Sequence, residues 1–298
     1  MSPPTLYVTF VRHGESTDNL RTVWAGWKDA PLSNHGMNQA RAVGEYFSNV
    51  TKFDAIYASP LKRAFTTAQA IYDRQPEPKP PLTTSLLVRE QHFGIAEGKP
   101  WSWTQEEGLT LQEHFAKGIY PVLHGDREKF PEGESLVDLG ERANQAVEDI
   151  ILPHVWQAAR EGKKDVHVAI VSHGLCISQM VAQLLKRNAG GIDIKDYRGL
   201  LNTAWTRVAV DVKGSEEDKP VDIPDDDDPP LSVYVTDINQ HSHIDNILRQ
   251  KGGIGNAAYD PKQADIRAFF GGKTDVGGGV KSNANDEIGV EFKPGSSL

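Results

Sequence analysis

Residues 5–14, "TLYVTFVRHG", decide the fold. Positions 5 to 11 carry β-branched and aromatic side chains and no charge. A short run of that kind reads as a buried strand. It stops at Arg12-His13-Gly14, and a polar loop containing Gly and Pro follows as far as Pro31. The pattern returns at 166–174, "VHVAIVSHG", an apolar strand over Val166–Val171 that stops at Ser172-His173-Gly174. The two turns lie about 160 residues apart, so any shared role must come from the fold.

Helical patterns lie between and after these strands. Ser33 can cap a helix from about Asn34 to Ser48, with Met37, Ala40, Ala42, Val43 and Phe47 on its apolar side. Phe53 to Ala58 reads as a second strand. It runs into Ser59-Pro60-Leu61-Lys62-Arg63, where a helix is expected with proline in its first turn. "QPEPKPP" (75–81) is a loop. Trp101 to Gly118 is expected to be helical and rich in aromatics. Glu134 to Arg160 reads as one long helix, entered through "PEGES" and interrupted at Pro153. Another helix should run from the His173 turn to about Lys186. Thr206 to Val212 and Leu231 to Ile238 alternate as strands of a hairpin.

Strands alternating with helices predict a three-layer α/β/α sandwich around a mostly parallel sheet. Ligands of such folds sit at the carboxyl ends of the strands. The polar motifs at residues 12–14, 59–63 and 172–174 all fall there.

Composition narrows the classes. The chain has 298 residues, 38% of them hydrophobic, enough for one large domain with appendages. No apolar run reaches the ~20 residues of a membrane span. Residues 1–5 are too short and too polar for a secretory signal, so an intracellular location, cytoplasmic or nuclear, is expected. Cys176 is the only cysteine, which excludes an internal disulfide and a cysteine-based zinc site. The net charge is −9, and residues 214–230 supply −7 of it, eight acids against one lysine. The remainder is close to neutral, so no basic field for nucleic acid exists. Beyond about Asn246 the chain becomes Gly-rich and polar, a composition that favours a flexible tail over 247–298. The expected domain therefore covers residues 1–246.

If the three strand-end motifs converge, one pocket holds two imidazoles and two guanidiniums. Arginine matches phosphate oxygens with its planar fork of donors. A neutral imidazole can attack phosphorus and carry the phosphoryl group until water cleaves it. The leaving alkoxide then needs a proton, and a carboxylic acid can supply it. The chemistry needs no metal.

"FVRHGEST", "SPLKRAFTTA", "VREQHFGIAEG", "GES" and "VSHG", taken in order, resemble the histidine phosphatase superfamily, the phosphoglycerate mutase-like proteins. The resemblance covers roughly residues 5 to 212. It implies that fold, with a helical cap insertion, and no cofactor. It implies His13 as the phosphorylated nucleophile, and Arg12, Arg63 and Asn19 as phosphate contacts. His173 would complete the pocket, and Glu90 would be the proton donor. Glu97 and Glu106 lie near Glu90 in sequence and compete for that role. Arg63 has the alternative of an ion pair with Glu90. Cys176 reads as a small buried residue. His241 and His243 share an expected strand face, which reads as solvated rather than metal-binding.

The family's mutases carry a long basic insertion after the acid. Here that region offers only Lys99, Lys117, Arg127 and Lys129, which favours a phosphatase; a mutase-type phosphotransferase is the alternative. Trp101, Trp103, Phe115 and Tyr120 either form the core of the cap or line a mouth suited to bulky phosphomonoesters. The expected partner is thus a phosphorylated small molecule or phosphopeptide, with no membrane and no nucleic acid. A reading of another class remains. Gln263, Ile266, Phe269 and Phe270 in "QADIRAFF" resemble the box that docks on replication sliding clamps, and some fungal transcription-factor subunits resemble this phosphatase domain. The chain would then be an interaction module of a nuclear complex.

Overall fold

The computed structural model describes residues 3–191, 197–224 and 229–261. Its centre is a six-stranded sheet of β1 (Leu6–Arg12), β2 (Ala55–Ala58), β3 (Leu82–Thr84), β6 (Val166–Ser172), β7 (Trp205–Val212) and β8 (Leu231–Gln240), in the order β3-β2-β6-β1-β7-β8. β1 pairs in parallel with β6, which pairs in parallel with β2, and β2 with β3. β7 runs antiparallel to both neighbours, β1 and β8. Five of the six strands therefore point one way, and their carboxyl ends share one edge.

Helices cover both faces, because the central strands are apolar on both. Val8, Phe10, Val168 and Ile170 pack with side chains of α4 (Leu136–Ala146), α5 (Leu152–Arg160) and α6 (Gly174–Lys186). On the opposite face Val11, Ala169 and Val171 meet Val43 and Phe47 of α1 (Asn34–Val50) and Ala68 and Ile71 of α2 (Lys62–Arg74). The expected three-layer sandwich is the observed one.

Local chemistry sets the helix ends. The Ser33 hydroxyl accepts from Gly36 N at 2.9 Å and starts α1 where expected. α2 begins two residues past Pro60, with Leu61 as N-cap, so the proline precedes the helix rather than occupying its first turn. Pro153 does interrupt the long helix. It has no N–H to give to the turn before it, and Val147–Ile151 widen into a π turn in which Leu152 N reaches Val147 O.

Two larger expectations change as well. Trp101 to Gly118 is not a helix. Trp101–Ser102 is a short strand, β4, paired with β5 (Tyr120–Pro121), and only α3 (Leu111–Ala116) is helical. The Thr110–Glu113 capping box fixes the start of α3, and Gly108 and Gly118, at φ +82° and +72°, break the chain on either side. The second change lies at the C-terminal end. Residues 249–259 lie on the domain instead of leaving it at 247. Asn34 N donates to Ala257 O at 2.9 Å, Tyr259 N to Leu32 O at 2.8 Å, and Arg249 pairs with Glu15. Gly and polar residues hid this contact because backbone bonds and one ion pair carry it, rather than apolar periodicity. The "QADIRAFF" segment lies outside the described residues.

The loop after β1 rests directly on the first turn of α1. A Cβ on Gly36 would stand 2.0 Å from Glu15 O, and one on Gly14 would stand 2.5 Å from Gly36 O. Glycine at both positions lets the two backbones touch, which fixes the segment that carries His13.

Candidate active site

The parallel register places Arg12 opposite Ser172, so the next residue of each strand, His13 and His173, emerges side by side. Their ring centroids are 5.0 Å apart. His13 Nδ1 lies 2.7 Å from Gly14 O. A carbonyl only accepts, so Nδ1 carries the proton and Nε2 keeps its lone pair. His173 Nε2 lies 2.9 Å from Ser59 Oγ, which accepts from Leu61 N and so can donate to the ring. With the Ser59 hydroxyl donating, the ring proton of His173 falls on Nδ1, a buried atom with no hydrogen-bond partner. Arg12 Nε is a second buried donor without a partner, although its Nη1 donates to Leu200 O. Unused donors beside a ring lone pair suit an anion that brings its own acceptor oxygens.

Arg63 is 1% exposed and donates to Gly26 O at 2.7 Å and Lys28 O at 3.0 Å. It is a buried clamp on the loop before α1, not a surface ion bridge to Glu90. Burial lowers its pKa, opposed first by the charge of Glu90. Arg12 shows the same two influences in the same order. Glu90 therefore lies within electrostatic reach of both guanidiniums.

Glu90 accepts from Gln91 N at 3.0 Å, Cys176 N at 3.2 Å and Leu175 N at 3.4 Å. It thus caps the first turn of α6, next to His173. Its backbone is held from the other side. Arg142, paired with Glu134 at 2.7 Å, donates to the carbonyls of Leu87, Arg89 and Glu90. The indole of Trp27 donates to Glu90 O at 2.6 Å, and Trp27 itself packs on the Arg89 guanidinium and stacks with His92. The "GES" turn acts here through its glutamate, which positions the segment carrying Glu90. Glu97 is committed elsewhere, to Trp27 N at 2.7 Å and Phe93 N at 3.2 Å. Glu106 is exposed and pairs with Lys117 at 3.7 Å. Of the three acids, only Glu90 acts on both guanidiniums and caps the helix that starts at His173.

Asn19 is exposed at the rim, and its Oδ1 accepts from Ser16 N at 3.0 Å in a local turn. Asn202 Nδ2 reaches Asn19 at 3.4 Å and donates to His13 O at 3.1 Å. The sequence reading passed over Asn202, Ser59, Trp27 and Arg142. Only Ser59 carried a signal, its place at a strand end. Cys176 is fully buried, and burial pushes its thiol up to about 11, which leaves it unreactive. The histidines beyond β8 do not share a strand face. The strand ends at Gln240, His243 turns inward to Thr203 Oγ1 at 3.0 Å, and His241 meets Asp245. Among the described residues, no group of three or more His, Cys, Asp or Glu could hold a metal ion.

Both imidazoles titrate well below the ordinary histidine value. Burial is the largest cause, followed by the positive charge of Arg63. The unfolded chain takes up these protons near pH 6.5, and the folded chain does not. The unfolded state thus binds more protons below that pH, and stability falls as pH drops from 7 toward 5. Each ring contributes a slope of at most about 1.4 kcal/mol per pH unit. Urea unfolding across this range should show a shallower slope for His173→Asn than for the parent. An unchanged slope would mean that His173 is not buried in its neutral form.

A buried imidazole pair with two guanidiniums at the carboxyl edge of an α/β sheet defines an enzyme class that handles phosphoryl groups. The chain belongs to the histidine phosphatase superfamily (branch 1), whose model matches residues 8–221. It is 31% identical over 199 residues to the 2,3-bisphosphoglycerate-dependent phosphoglycerate mutase of Lactococcus lactis, a match spanning 60% of this chain and 82% of that protein. To the phosphoglycerate mutase of Schizosaccharomyces pombe it is 31% identical over 182 residues, 61% and 80% of the two chains. Among solved structures it resembles the mycobacterial glucosyl-3-phosphoglycerate phosphatase, with TM-score 0.54 and 22% identity over 78% of this chain and 98% of that one. It also resembles Bacillus stearothermophilus YhfR, with TM-score 0.53 and 23% identity over 80% and 99%. The protein is thus an enzyme of this superfamily, a phosphatase or a mutase.

Proposed function

We propose that the protein is a metal-independent phosphomonoester hydrolase working through a phosphohistidine. The carrying observation is His13, a buried neutral ring whose Nδ1–H is fixed on Gly14 O, so that Nε2 is the nucleophilic atom. Nε2 attacks phosphorus and the P–O bond to the alcohol breaks. Glu90 gives its proton to the leaving oxygen. Arg12, Arg63 and the Nδ1–H of His173 hold the equatorial oxygens, and Asn19 contacts phosphate from the rim. Glu90 then takes a proton from water as it attacks phosphorus, which frees His13 and inorganic phosphate.

A hydrolase is favoured over a mutase by the surroundings of Glu90. A mutase must hold a carboxylate and a second phosphate. Lys117 is paired with Glu106 and Lys129 with Asp138. None of Lys99, Lys117, Arg127 or Lys129 lines the cavity that Gln91 and Leu175 border, where Arg198 is the one basic residue of the wall among the described residues. The mutase reading keeps the support of the curated relatives, and one experiment separates the two. With a chelator present, a labelled phosphomonoester should release inorganic phosphate and leave an acid-labile, base-stable label on the enzyme. The same enzyme, primed with 2,3-bisphosphoglycerate, should not interconvert 2- and 3-phosphoglycerate. Interconversion faster than hydrolysis makes it a mutase, and an absolute need for magnesium contradicts the histidine mechanism.

A further inference from the structure

We infer that the cavity beside Glu90 receives the alcohol half of the substrate, and that this alcohol carries a bulky aromatic group. The inference rests on the hydrolase reading above and names its substrate class.

The cavity measures about 340 Å³. Its wall reaches the segment that carries the proton donor. Gln91 follows Glu90 in the chain, and Leu175, whose N–H meets the Glu90 carboxylate at 3.4 Å, lends its side chain to the wall. An alcohol whose oxygen is protonated by Glu90 can extend past Gln91 and Leu175 into this space. The volume lies at the small end of the ~300–1,000 Å³ typical of small-molecule sites, enough for a one- or two-ring group.

The wall selects the chemistry. Trp24, Phe93, Trp101, Trp103 and Phe130 supply aromatic faces and edges. Trp103 is 74% exposed, stands edge-on to Trp101 at 4.8 Å, and projects a large apolar surface at the rim. Phe115 and Tyr120 instead pack behind Phe130 as core of the cap. Of the four aromatics, one pair thus forms cap core and the other lines the cavity.

Several polar groups of the wall are already committed. Trp24 Nε1 donates to Tyr120 O at 3.0 Å, and Gln91 Nε2 donates to Glu134 O at 2.7 Å. The carboxylate of Glu128 accepts from His124 N and Gly125 N, and Arg198 is itself engaged. A sugar or glycerate would give up its water here and find few partners for its hydroxyls, which is unfavourable. An aromatic group exchanges water for ring contacts, which is favourable.

The test compares esters whose leaving oxygens are alike, so that leaving-group chemistry cancels. The substrates are 2-(1-naphthyl)ethyl phosphate, ethyl phosphate and glucose 6-phosphate, assayed with the full chain. The naphthyl ester should be favoured in kcat/KM by at least about ten-fold over both others. Trp103→Ala, at an exposed position that folding tolerates, and Val122→Asp in the wall should each pull that ratio toward one. Equal rates for all esters, preference for the sugar ester, or a ratio untouched by both substitutions overturns the assignment while leaving the hydrolase reading intact. No hydrolysis of any ester overturns both.

Discussion

Replacing His13 with alanine should reduce phosphate release by about a thousand-fold or more, the scale seen when a covalent nucleophile is lost. Three features place the effect on the chemical step. The ring is 4% exposed and kept neutral by burial and by Arg63 and Arg12, so its lone pair is available across the neutral range. The Gly14 carbonyl holds the tautomer that leaves Nε2 unprotonated. The backbone around it is fixed independently of the side chain, by His13 N to Ser172 O at 3.0 Å and by the Gly14–Gly36 contact. The variant should therefore fold, and urea unfolding checks that it does. It should still bind inorganic phosphate or vanadate through Arg12, Arg63 and His173, but never become labelled. A His13→Ala enzyme that turns over at the parent rate means that another group attacks phosphorus.

The parts of this site visible in the sequence are those that sit on repeating physics. β1 and β6 are legible because parallel strands covered on both faces must be apolar throughout, and a polar turn at their ends then stands out. Ser33 is legible because helix caps obey a short local rule. Arg142 is not. It acts through the Glu134 carboxylate and three carbonyls of a segment more than 50 residues away, and nothing in a helix with an arginine on one side announces that. Ser59 is half legible, since a strand end marks a place but not the Nε2 it will meet. The region 101–118 misled because tryptophan and leucine suggested an apolar helix face, whereas Gly108, Gly118 and the Thr110 cap divide it. The segment from 249 to 259 misled for the opposite reason. Its composition lacks a core pattern, yet Arg249 and two backbone bonds hold it to Glu15 and the start of α1.

Glu90→Gln should lower kcat by about a hundred- to ten-thousand-fold for alkyl phosphates, the usual worth of general acid–base catalysis. The carboxylate anchors on Gln91 N, Leu175 N and Cys176 N, and a glutamine oxygen can still accept from them, so the first turn of α6 stays capped. What the substitution removes is the transferable proton. The loss should therefore depend on the leaving group. An alkoxide must be protonated as it departs, whereas 4-nitrophenolate leaves readily without help. With 4-nitrophenyl phosphate the first step should be little affected, and the deficit should move to the second step, where Glu90 takes a proton from water. Rapid mixing should then show a burst of nitrophenolate followed by slow turnover, with phosphoenzyme accumulating. With an alkyl ester no phosphoenzyme should accumulate. Arg142→Met loosens the same segment without touching the carboxylate, so it should reduce both classes of substrate together. If Glu90→Gln slows 4-nitrophenyl and alkyl esters equally and without a burst, Glu90 positions the site rather than moving the proton.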